Sequence, residues 1–140
     1  MTVVIDKQRS TKYCLAIKDR LEAVGHATNA ELLCYLRDFF PDLSATTVHR
    51  VTARLLLRGE ISIAPAKYEG SMCYDSNIVP HDHFKCSSCG LLKDIDIKDR
   101  IISILEESID DCGIYGRLVI NGKCKKCIRK QGEYYENNNI

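Results

Sequence analysis

Four of the eight cysteines form two C-x-x-C pairs, Cys86/Cys89 and Cys124/Cys127. Each pair can present two thiolates from one tight turn, and four sulfurs at about 2.3 Å satisfy a tetrahedral Zn²⁺ ion. A redox-active dithiol or chance spacing are the competing interpretations of this motif. We predict that the four cysteines form a structural zinc site.

Two histidines stand just before the first pair, in the segment P-H-D-H-F-K-C-S-S-C-G. His81 and His83 are two residues apart in a segment that we expect to be extended, so both imidazoles point to the same side. Four cysteines already saturate a structural zinc ion, so the spare imidazoles indicate a second metal, with Asp75 and Asp94 nearby. The alternative is that both histidines have an ordinary structural role.

The composition is that of an ordinary globular protein, with 140 residues, 45% hydrophobic, 28% charged and a formal charge of +1. This excludes disordered and fibrous classes. Apolar runs fall far short of the roughly 18 residues of a membrane span, and the N-terminus lacks the pattern of a secretory signal. We predict a cytoplasmic protein that does not bind a membrane. In reducing cytosol, cysteines favour metal or redox chemistry over disulfides.

The other four cysteines receive separate predictions. Cys14, Cys34 and Cys112 fall in predicted helices, where a buried small hydrophobic residue is the expectation. Cys73 lies in a predicted strand and stays ambiguous. A nucleophilic Cys73 would make the chain a zinc-stapled thiol reductase, which is the enzyme alternative to our prediction of a non-enzyme.

The first half of the chain predicts three helices and a hairpin. Apolar residues at spacings of three and four predict a helix over about residues 10–24, capped by Ser10 or Thr11 and closed by Gly25. Thr28 and Glu31 form a capping box for a second helix that ends before Pro41. Ser44 caps a third helix that stops at Gly59, and strands at 60–64 and 71–74 follow. This order predicts a winged helix-turn-helix.

Such a fold places the N-terminal turn of its last helix at the bases of DNA, while cations hold phosphates. The first half also carries an excess of Lys and Arg, whereas the second half is acidic. The alternative is that the arginines only form a solvated helix face. The candidate DNA-binding residues are Ser44, Thr46, Thr47, His49, Arg50 and Arg54.

The second half predicts a small sheet with one helix, which zinc would hold together. Strand patterns cover residues 91–97 and 117–120, and a helix of about 98–112 packs on them. The polar segment 131–140 offers no motif and is expected to be mobile. The predicted class is α+β, with a winged helix-turn-helix DNA-binding domain at 1–76 and a zinc-stapled α/β dimerisation domain, including the polar tail, at 77–140.

The sequence S-A-T-T-V-H-R, followed by H-D-H-x-x-C-x-x-C-G and then C-x-x-C, resembles the ferric uptake regulator (Fur) family over roughly residues 9–128. The resemblance implies a homodimeric, metal-dependent repressor that binds double-stranded operator DNA. It also implies an N-terminal winged helix and a C-terminal dimerisation domain. Many members carry a Cys₄ zinc, matched by Cys86, Cys89, Cys124 and Cys127.

The resemblance also implies a regulatory metal site. Its ligands are matched by a His before the second helix, an acid ahead of the motif, both motif histidines and a later acid: His26, Asp75, His81, His83 and Asp94. Because these ligands come from both predicted domains, one ion would clamp the domains' relative orientation. Three imidazoles and two carboxylates suit Fe²⁺ or Mn²⁺ and can also hold Zn²⁺.

Aspartate at both acidic positions is similar to the peroxide-sensing (PerR) branch of the family. There, regulatory Fe²⁺ reacts with hydrogen peroxide and a ligand histidine, matched by His26 and His81, is oxidised. The metal is then lost and the repressor leaves DNA, whereas Mn²⁺ supports binding without this chemistry. An iron- or zinc-responsive uptake regulator is the alternative within the family. His49, Tyr13 and Cys14 depart from the usual residues, so the operator is not predicted.

Overall fold

The computed structural model describes the backbone of residues 2–67 and 70–138 and the side chains of 12–67 and 70–132. It divides into two compact units, residues 1–79 and 80–140. None of the helices described is long and apolar enough to cross a bilayer. The DNA-binding and dimerisation roles given to the predicted domains, 1–76 and 77–140, stay predictions.

The first unit is a winged helix. Its elements are α1 (Thr2–Val24), β1 (His26–Thr28), α2 (Asn29–Leu36), α3 (Ala45–Leu57), β2 (Ser62–Ala64) and β3 (Cys73–Asp75). The sheet is antiparallel with strand order β1-β3-β2, and β2 and β3 form the hairpin that follows the third helix. Three helices followed by this hairpin confirm the predicted winged helix-turn-helix.

The first helix is longer than predicted. It begins at Thr2, so neither Ser10 nor Thr11 is its cap. Residues 2–9 contain neither glycine nor proline, and hydroxyl side chains are tolerated inside a helix, so nothing in this segment stops the helix earlier. Gly25 closes it as predicted, with φ of +83° and its N–H donating to Leu21 O at 2.7 Å.

The predicted caps of the second and third helices are confirmed. Thr28 caps α2 by accepting from the Glu31 N–H at 3.2 Å, and Ser44 caps α3 by accepting from the Thr47 N–H at 3.2 Å. β1 was not predicted, because three residues are too few to show strand alternation. Its pairing with β3 places His26 opposite Asp75.

The core of the first unit lies between the three helices. Leu55 of α3 is fully buried against residues of α1 and α2, whereas Leu57, two positions along the same helix, is 89% exposed. The residues that line this core are Ile17, Leu21, Ala27, Leu32, Leu36, Leu43, Val48, Val51, Leu55, Ile61 and Tyr74.

The second unit is a three-stranded sheet with two helices. Its elements are β4 (Asp82–Cys86), β5 (Leu92–Ile95), α4 (Lys98–Ser108), β6 (Val119–Gly122) and α5 (Lys125–Asn138). β4 is the central strand, antiparallel to β5 and parallel to β6. β5 is shorter than the strand predicted at 91–97, and β6 begins and ends two residues later than the strand predicted at 117–120.

One predicted boundary in the second unit is wrong. α4 ends at Ser108 instead of 112, because Asp110 and Asp111 adopt left-handed φ of 56° and 59°, a region that aspartate tolerates. The polar segment from Gln131 is part of α5, which continues through Asn138, and its mobility stays a prediction. Residues 139–140 lie outside the described part.

The prediction that three cysteines are buried holds only in part. Cys14 packs partly against the core of the first unit, as expected. Cys34 in α2 and Cys112 after α4 are exposed. Cys34 lies on the solvent side of a short helix whose buried residues are Leu32 and Leu36, and Cys112 follows the turn that ends α4.

A buried aspartate holds the second unit together. The carboxylate of Asp82 is fully buried and accepts three backbone N–H bonds, from Ile97 at 3.1 Å, Lys98 at 2.8 Å and Leu118 at 3.0 Å. Burial by itself raises the pKa of Asp82, but these bonds and the charge of Arg117 outweigh it and lower the pKa. Asp82 thereby joins β4 to the start of α4 and to the residue before β6.

We expect Leu55→Ala to lower the free energy of unfolding by about 2–5 kcal/mol, because it leaves a cavity in a packed core. Leu57→Ala makes the same change in the same helix on an exposed side chain and should stay within about 0.5 kcal/mol of the parent. Urea denaturation followed by circular dichroism measures both. Equal losses in the two variants would contradict the placement of the core.

We expect Asp82→Ala to destabilise the second unit by about 3 kcal/mol, because three buried N–H groups lose their acceptor. Asp96→Ala removes an exposed carboxylate from the segment just after β5 and serves as the control. Hydrogen exchange at the Lys98 and Leu118 amides reports the loss directly. Unchanged exchange in Asp82→Ala would disprove this role.

Candidate metal centres

The four predicted zinc ligands meet at one end of the second sheet. Cys86 is the last residue of β4, and the turn after it places Gly90 at φ +77°, where the Gly90 N–H donates to Cys86 O at 2.9 Å. The parallel pairing of β4 with β6 sets Cys86 opposite Gly122, two residues before Cys124. The strand pairing therefore brings the distant C-x-x-C pairs together.

The sulfur geometry fits a tetrahedral ion. The ligand sulfurs of Cys86, Cys89, Cys124 and Cys127 all lie within 4.8 Å of one another. Cys89 Sγ is 3.8 Å from Cys124 Sγ, which equals the edge of a tetrahedron with Zn–S bonds of about 2.3 Å. This cluster fits a structural zinc ion.

Backbone N–H groups prepare the cluster for a cation. The N–H groups of Cys124 and Cys89 donate to Cys86 Sγ at 3.4 and 3.5 Å, and they lower the pKa of Cys86 to about 6. The pKa of Cys124 is lowered as well, chiefly by a hydrogen bond from the Cys127 backbone. Sharing a proton with Cys124 raises the pKa of Cys127 to about 12. Crowded thiols cannot all ionise until a cation joins them.

The second unit also contains three of the predicted regulatory ligands. His81 and His83 lie on one side of the strand, with ring centroids 4.3 Å apart, as predicted from their spacing. β4 pairs His83 with Asp94 of β5. The Nε2 atoms of His81 and His83 approach the same oxygen, Asp94 Oδ1, at 3.1 and 3.4 Å.

The first unit contains the other two predicted ligands, on paired strands. His26 Nε2 lies 3.1 Å from Asp75 Oδ2, and both side chains are almost fully buried. The second oxygen, Asp75 Oδ1, accepts the Asn77 N–H at 2.8 Å and so fixes the carboxylate. Asp75 was found from its distance to the histidine motif, but its contact with His26 depends on the unpredicted strand β1.

The donor atoms within each unit have the separation of neighbouring ligands on one ion. When two ligand atoms each lie about 2.1 Å from one ion and their bonds to it form a right angle, they are about 3 Å apart. This is close to the 3.1 Å distance between His26 Nε2 and Asp75 Oδ2. Imidazole nitrogens with carboxylate oxygens form a borderline-to-hard donor set, unlike the four soft sulfurs of the zinc cluster. The chain thus offers two chemically different kinds of metal ligand group.

Five of the six candidate DNA-binding residues lie in the first two turns of α3 or at its cap, whereas Arg54 lies in the last turn. Thr46, His49 and Arg50 are exposed, and Arg54 is half-buried. Ser44 and Thr47 bond each other through their hydroxyl oxygens at 2.9 Å while Ser44 caps the helix, so both serve the helix end. Their contact with DNA stays a prediction.

Sequence reasoning missed three residues that position these groups. Asp82 was given no role, although strand alternation alone directs it to the side opposite the histidines, where a carboxylate needs partners. Asn29 and Thr52 form a hydrogen-bonded chain to His49. No local pattern links Asn29 to a residue on another helix.

The structure argues against a reductase that uses Cys73. The Cys73 side chain is fully buried in β3. Burial raises the pKa of its thiol to about 11, so it is protonated at neutral pH. A protonated, inaccessible thiol is a poor nucleophile.

Solved structures share the fold of this chain. A peroxide stress regulator of Campylobacter jejuni has 23% identity and a TM-score of 0.68, covering 90% of this chain and 96% of its own. A ferric uptake regulator of Francisella tularensis with iron has 22% identity and a TM-score of 0.64, covering 82% and 90%. A zinc uptake regulator complexed with zinc and DNA has 20% identity and a TM-score of 0.57, covering 86% and 83%.

A search among curated proteins finds no match to the chain. The family model described as "Ferric uptake regulator family" matches residues 6–115. This match runs from α1 through the winged helix, the histidine motif and the first cysteine pair to the end of α4. The chain therefore belongs to the ferric uptake regulator family of metal-responsive transcription regulators.

Proposed function

We propose that this chain is a metal-dependent repressor that senses peroxide through iron-catalysed oxidation of a ligand histidine, with Mn²⁺ as the alternative corepressor. The observation that carries the proposal is the ligand chemistry. His26 with Asp75, and His81 and His83 with Asp94, offer nitrogen and oxygen atoms at ligand spacing. A site without sulfur suits Fe²⁺ and Mn²⁺.

In this proposal the two ligand groups, one in each unit, bind a single ion. A metal that binds only one arrangement of the two units shifts their population towards that arrangement. A preference of about 5.5 kcal/mol would move a 1:99 equilibrium to 99:1. The metal would thereby set the spacing of the DNA-reading helices in a dimer, and half-site spacing is what such dimers recognise.

The DNA contact in the proposal is made by α3. Its exposed N-terminal turn carries Thr46, His49 and Arg50, and such turns read base edges in helix-turn-helix proteins. The zinc uptake regulator with the same fold is described as complexed with DNA. We propose operator DNA as the partner of this face.

We also propose that a second copy of the chain covers the second unit. Every side chain of α4 keeps some exposure, with Ile104 66% exposed. Val119 and Ile120 of the edge strand β6 are 46% and 40% exposed. Exposed apolar side chains beside an unpaired strand edge favour association. A homodimer would bury them.

Within the family, an iron- or zinc-responsive uptake regulator is the alternative, since the fold is shared with structures of both kinds. Peroxide distinguishes them. Operator binding by the Fe²⁺-loaded protein that survives peroxide would favour an uptake regulator.

Zinc removal should unfold the second unit, because its core is small and the metal supplies folding free energy. We expect Cys86→Ser and Cys124→Ser to lose zinc, helicity and the dimer. Cys112→Ser changes an exposed cysteine and is the matched control. Metal analysis with size-exclusion chromatography measures these losses. A zinc-free Cys86→Ser protein that remains a folded dimer would refute the structural role.

Replacing a regulatory ligand should abolish metal-dependent DNA binding without unfolding the protein. We expect Asp94→Ala to lose the Mn²⁺ stimulation of binding to duplexes selected from a random pool, because the two histidines lose their shared carboxylate. Asp96→Ala, two residues further along the chain and just after β5, should behave as the parent. Fluorescence anisotropy with and without Mn²⁺ tests this. Undiminished stimulation in Asp94→Ala would exclude Asp94 as a ligand.

Peroxide should add one oxygen atom to the peptide that carries His26 or His81 when the protein holds Fe²⁺. The C–H bond of the ring is replaced by C–O, and the second oxygen of peroxide leaves as water. The Mn²⁺-loaded protein is the control and should be spared. Tryptic mass spectrometry measures the added mass. Equal oxidation with both metals would count against peroxide sensing.

A further inference from the structure

A chain of hydrogen bonds fixes one exposed side chain of α3. His49 Nδ1 lies 3.3 Å from Asn29 Nδ2, and Thr52 donates its hydroxyl to Asn29 Oδ1 at 2.9 Å. Thr52 is fully buried, whereas His49 is exposed. The core of the first unit therefore holds an imidazole on the face of α3 that the proposed function assigns to DNA.

The orientation of the Asn29 amide follows from which acceptor takes the single hydroxyl proton of Thr52. Asn29 Oδ1, at 2.9 Å, is the nearest of three acceptors, since Val48 O lies at 3.0 Å and His49 O at 3.1 Å. With the amide oxygen of Asn29 accepting from Thr52, its NH₂ group donates to His49. Asn29 is itself held at the start of α2, directly after the Thr28 cap.

This contact selects the tautomer of His49. In a neutral imidazole one nitrogen donates and the other accepts. The Asn29 and His49 nitrogens are 3.3 Å apart. With the NH₂ group of Asn29 as the donor, Nδ1 accepts and the ring proton resides on Nε2, on the far side of the ring. Nε2 bonds to no other residue among those described.

We infer that Asn29 is a positioning residue for DNA readout, which makes His49 present an Nε2–H donor to the N7 acceptor of a purine. This inference rests on the proposed function of α3. N7 stands at the major-groove edge of both adenine and guanine and is absent from pyrimidines, of which thymine offers O4 as its acceptor instead. Removing N7 alone therefore tests whether the acceptor belongs to a purine. Asn29 itself need not touch DNA.

The test uses the full-length, Mn²⁺-loaded protein. Duplexes are first selected from a random pool, and each purine of the selected site is then replaced by its 7-deaza analogue, which lacks the N7 acceptor. We expect one purine in each half-site at which this replacement weakens binding about five- to tenfold, the effect of one hydrogen bond. His49→Ala should be insensitive to the same replacement.

A double-mutant cycle separates positioning from a merely structural role. Asn29→Ala should weaken binding and lose most of the 7-deaza sensitivity, yet cost nothing further in a His49→Ala background. If Asn29 only stabilised α2, its replacement would cost the same in both backgrounds and leave the 7-deaza sensitivity intact. That result would overturn the inference.

Nitrogen-15 NMR of the imidazole gives a second readout that needs no DNA. The parent should show His49 as the Nε2–H tautomer, and Asn29→Ala should shift it towards a mixture. A parent with the Nδ1–H tautomer would contradict the inference. Failure of the Mn²⁺-loaded parent to enrich any duplex would contradict the proposed function itself, whereas enrichment without an N7-sensitive purine would overturn only the role of Asn29 and His49.

Discussion

The second unit depends on the alternation of side chains along one strand, β4. Residues at successive positions of a strand point to opposite sides, so His81 and His83 lie together on one side, where they meet Asp94. Asp82 points the other way, into a buried position where three backbone N–H groups compensate its charge. The same strand ends at Cys86. This five-residue strand, with His81 just before it, thus carries candidate ligands for two chemically different sites, and a shift of one residue would disrupt both groups.

The two kinds of ligand group suit different tasks. Four sulfurs at tetrahedral spacing bind zinc tightly and offer no vacant position, which is appropriate for an ion that holds a small sheet together. Imidazoles and carboxylates bind first-row metals more reversibly than four thiolates do. Which metal occupies such a group therefore depends on which metals are available. Placing sulfur in one group and nitrogen and oxygen in the other keeps the structural ion separate from the proposed sensory one.

In the first unit, a short strand links the proposed metal ligand His26 to the helix that carries the partner of His49. β1 begins with His26 and ends with the cap Thr28, and Asn29 follows as the first residue of α2. Within these four residues, His26 is a proposed metal ligand, Thr28 is a helix cap and Asn29 is the partner of His49. The pairing of β1 with β3 fixes this segment, since it sets His26 opposite Asp75 and Thr28 opposite Cys73.

The sequence by itself determined the winged helix-turn-helix, the caps of α2 and α3 and the cysteine cluster, because capping boxes, apolar periodicity and C-x-x-C spacing are local patterns. Resemblance supplied His26 and Asp75 as ligands. Tertiary structure alone decided the β1 strand, the buried Asp82 carboxylate and the chain from Thr52 through Asn29 to His49. Each of these depends on hydrogen bonds between residues far apart in sequence. Such bonds leave no periodic signal, because their partners are chosen by how helices and strands pack.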